Sequence, residues 1–416
     1  MPVLPRVRAF DSSLHLLSEG YLFVSNRCRE LDTDVFQTRL MLERVVCMQG
    51  AEAARIFYGG GRFSRRDAVP KVTLRLLQDI GSVQQLDGAA HRHRKSMFMS
   101  MMKPDAIDAL AEAMERHWMQ QAPEWELRER VVLLDEVQAI LCRAVCEWVG
   151  VPLAEADVAA RTRELAAMIE AAGSLGPRGW HALLLRRRSE RWVREMIEAV
   201  RNKRLQPREG SPVHIVAWHR EPDGSLLPTE VAAVELLNLL RPTVAVSLFV
   251  VFSAMALRSH PIWLHRLRVE RDRWSEPFVQ EVRRFYPFFP LVGGRVRQPF
   301  EWRGHAFVEG AWVVLDLYGT NHDPRIWGDP ELFRPERFQH WVEDPYELIP
   351  QGGGAFDTGH RCPGEWATIA LMKRALDLLT SKIEYQVPEQ DLSLDLAQMP
   401  ALPPSRFVIS NVARTA

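Results

Sequence analysis

Between Gln351 and Glu365 the chain reads QGGGAFDTGHRCPGE, and few folds tolerate such a segment as mere packing material. Four glycines, at 352, 353, 354 and 359, precede a single cysteine, Cys362, and Pro363-Gly364 leads on into an amphipathic helix from about Trp366 to Thr380. Glycine removes side-chain obstruction and permits positive φ, so this backbone can lie against a flat ligand. The cysteine falls at a helix start, where free N–H groups and the helix dipole favour a thiolate and predict a lowered pKa. Such a thiolate suits axial ligation of heme iron. The competing reading is a buried free cysteine beside an exposed glycine loop. Zinc is disfavoured, because only His360 stands near enough in sequence and a tetrahedral site needs four ligands. Cys142 and Cys146, one helical turn apart, read as small apolar core residues.

The rest of the chain is consistent with one domain over residues 1–416, mainly α with a smaller β region. Apolar stripes at helical spacing cover Ala106 to Trp118, Leu133 to Val149, Ala154 to Ala172 and Trp180 to Val200. A further helix is expected from Pro228-Thr229-Glu230, with Thr as cap and Pro in the first turn, through Leu257. A short helix follows Ser275 and ends at Tyr286-Pro287, and strands are expected at Gly294 to Phe300 and Ala306 to Leu315. Acidic and basic residues number 53 each, so no net field selects nucleic acid or an anionic membrane as the main partner. Five cysteines make an odd set for a disulfide framework, and a reducing, cytoplasmic compartment is expected. The opening residues lack the unbroken apolar run of a signal peptide. Val244 to Leu257 is too short to cross a bilayer and reads as a buried helix.

Glu281 and Arg284 lie three apart, on one helix face, and can form a charge-assisted pair. On its own such a pair reads as a solvated salt bridge of little worth. Its order along the chain is more specific: EVRR, then strands, then PERF with Arg337, then the cysteine loop. In this order the three motifs resemble the cytochrome P-450 superfamily, over essentially the whole chain. The resemblance implies that fold, heme b on Cys362, and a structural triad of Glu281, Arg284 and Arg337 behind the heme. The loop departs from the usual pattern: Ala355, Thr358 and His360 stand where the family has Phe, Gly and Arg. The string GHRCPGE instead resembles the fatty-acid peroxygenase branch.

In LLNLLRPTVAVSLFVV, Arg241 interrupts a strongly apolar helix and Pro242 follows it. A buried guanidinium needs an anion, while proline in a helix interior costs about 3 kcal/mol or more. Glu235, six residues back, falls on a different face. The adjacent costs point to a site, although a distant structural salt bridge would also explain Arg241. The helix has no Asp or Glu followed by Thr, the acid-alcohol pair of oxygen-activating relatives. Arg-Pro resembles the peroxygenases, in which the arginine holds the substrate carboxylate and that carboxylate serves as acid-base for hydrogen peroxide. The same resemblance makes Arg65, His91 and Lys95, with His360, heme partners. It places Gln84 over the heme, in a position where Gln goes with α or β hydroxylation and His with decarboxylation to alkenes. Gln85 next door leaves that register open. Phe288 and Phe289 are expected to wall the substrate tunnel, and core packing would explain them about as well.

The expected function is therefore hydrogen-peroxide-dependent oxidation of long-chain fatty acids beside the carboxylate, with no required redox partner. Two alternatives remain: a monooxygenase fed electrons by a redox partner, and a non-catalytic heme or fatty-acid binding protein.

Overall fold

The computed structural model describes residues 4–77, 81–174 and 176–415. Helices dominate, as their apolar stripes require: Pro104–Glu126, Leu133–Val149, Glu155–Glu170, Pro177–Arg201, Thr229–Ser259, Arg271–Phe285 and Glu365–Asp377. A five-stranded sheet takes the order 35–40, 43–49, 312–316, 291–296, 63–64. Among the described strands of this sheet, 43–49 and 312–316 pair in parallel and the other neighbours are antiparallel. A three-stranded sheet joins residues 131–132, 408–414 and 383–386.

The helix Thr229–Ser259 runs through the centre of the largest apolar cluster. It is apolar on every side, which suits a fully enclosed helix. Its most apolar window is long enough to resemble a membrane span, yet 89% of it is buried inside the protein. Each enclosed Val, Leu or Phe contributes about 1.5 to 3 kcal/mol, so Leu248, Phe249, Val250 and Val251 alone outweigh the cost of Pro242 within the same helix. The start differs from the expected cap. Pro228 itself occupies the cap position in an extended conformation, and the Thr229 hydroxyl accepts a hydrogen bond from Arg201 Nη1 at 3.1 Å.

Other boundaries also move. The Glu281 helix begins at Arg271 and absorbs Pro277. The two expected strands each break: residues 291–296 are separated from 300–302, and 305–307 from 312–316. The second break contains Gly310 at φ 78°, a turn conformation that strand-like alternation does not reveal. The Cys-loop helix spans Glu365–Asp377 and then widens into one π turn, 378–382.

Candidate active site

The cysteine loop is held from three sides. Gly354 has φ 85°, and a Cβ there would come within 2.9 Å of Tyr58 Cβ. At Gly353 it would meet Pro345 O at 2.7 Å, so side chains are excluded on both counts. From the helix Gly88–Met101, Lys95 Nζ donates to Gly359 O at 3.0 Å and also to Arg361 O. Cys362 N donates to Gln351 O at 3.2 Å, and Gln351 Nε2 reaches Thr368 Oγ1 at 3.1 Å. Glu365, buried, pairs with Arg283 and with Arg361, tying the loop to the helix that carries Glu281.

One electrostatic expectation reverses. Burial pushes the Cys362 thiol above its ordinary range and Glu365 adds to that, against the Gly364 N–H, Lys95 and Arg283. The helix start helps the thiolate, as expected, but desolvation outweighs it. A metal cation is the partner that would restore the thiolate.

Beside the loop lies a buried basic cluster. The His91 and His360 rings stack at 3.9 Å between centroids. Arg65 lies over the Phe57 ring at 4.5 Å and donates to Gly293 O at 2.8 Å. Burial, with Lys95 and Arg65 adding to it, holds His91 down at about 4. Burial likewise lowers Lys95 to about 8 and depresses Arg65. His360 is lowered by burial and by the other three. Four basic groups gathered this closely, two of them imidazoles held down by burial and by the neighbouring Arg65 and Lys95 charges, fit an anionic ligand with two carboxylates. With a sulfur ligand and a glycine floor alongside, the residues present fit a heme with its propionates.

The second group sits on the central helix. Arg241, only 5% exposed, donates to Asn238 Oδ1 at 3.2 Å and to Leu76 O at 3.4 Å, two of its partners. Asn238 Nδ2 in turn donates to Gln84 Oε1 at 3.3 Å and to Glu235 Oε2 at 2.9 Å. Gln84 thus joins the Arg241 group, while the buried Gln85 donates to Arg65 O at 3.4 Å. Phe288 stacks on Phe249 of the same helix at 4.2 Å, whereas Phe289 is 42% exposed.

Behind the loop, Glu281 and Arg284 are fully buried rather than solvated. Arg284 donates to both Glu281 oxygens at 2.7 and 2.9 Å, and Arg337 Nε lies 3.2 Å from Oε2. The two guanidinium groups also donate to the carbonyls of Asn321, Pro330, Leu332 and Trp327, which fixes the meander. Cys142 and Cys146 are buried core residues, and all five cysteines are free.

Asn238 has no place in the sequence analysis, and Glu235 is weighed there only as a direct partner for Arg241 and set aside as facing elsewhere. Residues 235, 238 and 241 step by three along the helix, so each touches the next although the ends face apart. The signal was Asn238 itself, a polar residue in an apolar run.

Residues 276–409 match the family model for cytochrome P-450. The fold matches cytochrome P450EX alpha in complex with myristic acid, at 46% identity over 100% of both chains and TM-score 0.97. A variant of cytochrome P450SP alpha matches at 47% identity over 98% of this chain and 100% of the other, TM-score 0.95. A variant of cytochrome P-450 OleT with arachidonic acid matches at 34% identity over 100% and 99%, TM-score 0.97. Among curated relatives, cytochrome P-450 71A8 of Mentha piperita is 30% identical over 145 residues, 34% of this chain and 28% of that protein. The chain thus aligns with about a quarter of the length of the curated plant relatives.

Proposed function

The chain belongs to the cytochrome P-450 superfamily, in its fatty-acid peroxygenase branch, and from that membership we propose a hydrogen-peroxide-dependent heme-thiolate enzyme that hydroxylates long-chain fatty acids at the α or β carbon. The observation that carries this reading is the guanidinium of Arg241, buried in a largely apolar helix and joined through Asn238 to Gln84. Whole-chain likeness to proteins crystallised with myristic and arachidonic acid supports the substrate class.

Bound heme b, with Cys362 as its thiolate ligand, supplies the oxidising iron. Arg65, His91, Lys95 and His360 are the residues that would hold its propionates. Arg241 binds the substrate carboxylate in bidentate geometry and never gives up its own proton. The carboxylate so held keeps one oxygen edge free to take a proton from peroxide and return it, which replaces the missing acid-alcohol pair. Arg241 thereby fixes the fatty acid by its head, so the carbons nearest the carboxylate are the ones presented for reaction, a proximity effect financed by burial of the tail. Phe288, on Phe249, forms part of the apolar wall that excludes water, and Phe289 lies toward its outer edge. Pro242 leaves the carbonyl of Asn238 without its helical donor, one turn from Arg241 in a helix that stays continuous through it. Gln84 favours hydroxylation, with decarboxylation to a terminal alkene as a minor outcome.

The protein acts as one domain over residues 1–416, without a redox partner. Its free cysteines suit a reducing cytoplasm. The test mixes purified holoprotein with myristic acid and hydrogen peroxide, without reductase, and analyses products by mass spectrometry. Hydroxymyristic acid is expected. Turnover only with an electron-donating partner would favour the monooxygenase reading, and binding without turnover the non-catalytic one.

A further inference from the structure

Glu235 is completely buried in the central helix, yet no step above uses it. Its oxygens face only donors. Oε1 accepts from Val83 N at 2.8 Å and from Arg94 Nη1 at 2.8 Å, and Oε2 accepts from Asn238 Nδ2 at 2.9 Å. Arg94 has a second partner in Glu221, nearer the surface. Burial raises the Glu235 carboxyl pKa, against Arg94, Asn238 and Val83. A protonated carboxyl would find no acceptor among these neighbours, so the carboxylate is the form that fits.

The consequence reaches the substrate side. A carboxylate can only accept and a guanidinium can only donate, so Asn238, between Glu235 and Arg241, has one permitted orientation: Nδ2 toward the acid, Oδ1 toward the arginine. The same Nδ2 meets Gln84 Oε1, which fixes the second amide as well. Gln84 is then left with its Nε2 donor as the end that has no partner among the described residues. We infer that Glu235 is a positioning residue that sets the polarity of Asn238 and Gln84, so that Gln84 offers an N–H donor and Arg241 a fixed guanidinium edge to the oxygens of the bound reactants. This rests on the proposed fatty-acid chemistry and adds to it the group that orients the clamp.

Glu235→Gln keeps the shape and breaks the logic. With its amide nitrogen toward Asn238, Asn238 must invert and set a donor against Arg241. With the nitrogen the other way, it opposes Val83 N–H and Arg94. Either outcome misorients the clamp, and an expected loss of about 10- to 100-fold in kcat per heme follows from losing one charge-assisted hydrogen bond. KM for myristic acid changes much less, because the tail supplies most of the binding.

The decisive experiment is a double-mutant cycle of Glu235→Gln and Asn238→Ala, with kcat and KM for myristic acid and peroxide normalised to bound heme. Each single variant is expected to lose about 10- to 100-fold in kcat, and the double variant no more than about threefold beyond the worse single. Additive losses, or Glu235→Gln with unchanged kcat per heme, overturn the inference, since a purely structural role lowers heme content and not turnover per heme. Should Glu235→Gln retain no heme, Asn238→Ala with Gln84→Ala reads the same relay by the same criterion. If the wild type itself turns nothing over, the proposed function has failed instead, and the coupling is then read in the Kd of myristic acid by calorimetry.

Discussion

Replacing Glu281 by Ala removes one carboxylate and strands two guanidinium groups. Glu281 and Arg284 are both at 0% exposure, and Glu281 also accepts from Arg334 N at 2.7 Å and from Arg337. Arg284 would keep its carbonyl partners, Asn321 O at 3.0 Å and Pro330 O at 2.9 Å, but not its counter-charge. Breaking a buried pair from one side costs about 3 to 5 kcal/mol. At about 2.1 cal/mol/K per residue of unfolding entropy, a 416-residue chain has about 0.9 kcal/mol/K, so Tm should fall by about 3 to 6 °C. The meander between residues 321 and 337 is anchored by the same groups, so heme content should fall with it. Differential scanning calorimetry gives the first number, and the ratio of heme to protein absorbance gives the second. A variant with wild-type Tm and full heme content would refute the claim that this triad holds the meander.

Gln84→His should shift products from hydroxy acid toward terminal alkene, measured by mass spectrometry of myristic acid reactions; an unchanged ratio would count against Gln84 as the residue facing the reacting carbons. His322 is held down at about 3, first by burial and then by Arg284. Its folded value lies below the unfolded one of about 6.5, so the stability it contributes is complete above that pH and is lost as pH falls through about 3. Denaturant titrations between pH 7 and pH 4 should give a shallower acid limb for His322→Gln than for wild type, and identical limbs would contradict the assignment.

The features that make up the candidate site stand out in the sequence because their chemistry is expensive. A guanidinium beside a proline in an apolar helix, and four glycines around one cysteine, are costly unless they serve a ligand, and local sequence exposes both. The helix Leu133–Val149 was legible to the residue, since its apolar stripe is unbroken. Three things were not. The hairpin of residues 35–40 and 43–49 is a sheet edge whose parallel partner, 312–316, lies far along the chain, and no local pattern announces that pairing. The burial of Glu281 and Arg284 depends on a meander that folds over them, so spacing alone could not separate it from a surface pair. The rise of the half-buried Cys362 thiol comes first from desolvation by the loop and elements packed around it, whereas its place at a helix start is local and legible. Glu235 shows the same limit within one helix: its link to Arg241 passes through Asn238, and a comparison of end residues alone misses the bridge.

The central claim is that the Arg241 guanidinium recruits the fatty-acid carboxylate and so completes the site. Peroxide-driven turnover of myristic acid by Arg241→Ala, loaded with heme to the wild-type level, tests it most directly. Loss of a buried charge partner is worth about 2 to 5 kcal/mol, which predicts a fall in kcat/KM of about 30- to several-thousand-fold while Cys362 still holds the heme. Turnover at the wild-type rate would contradict the account.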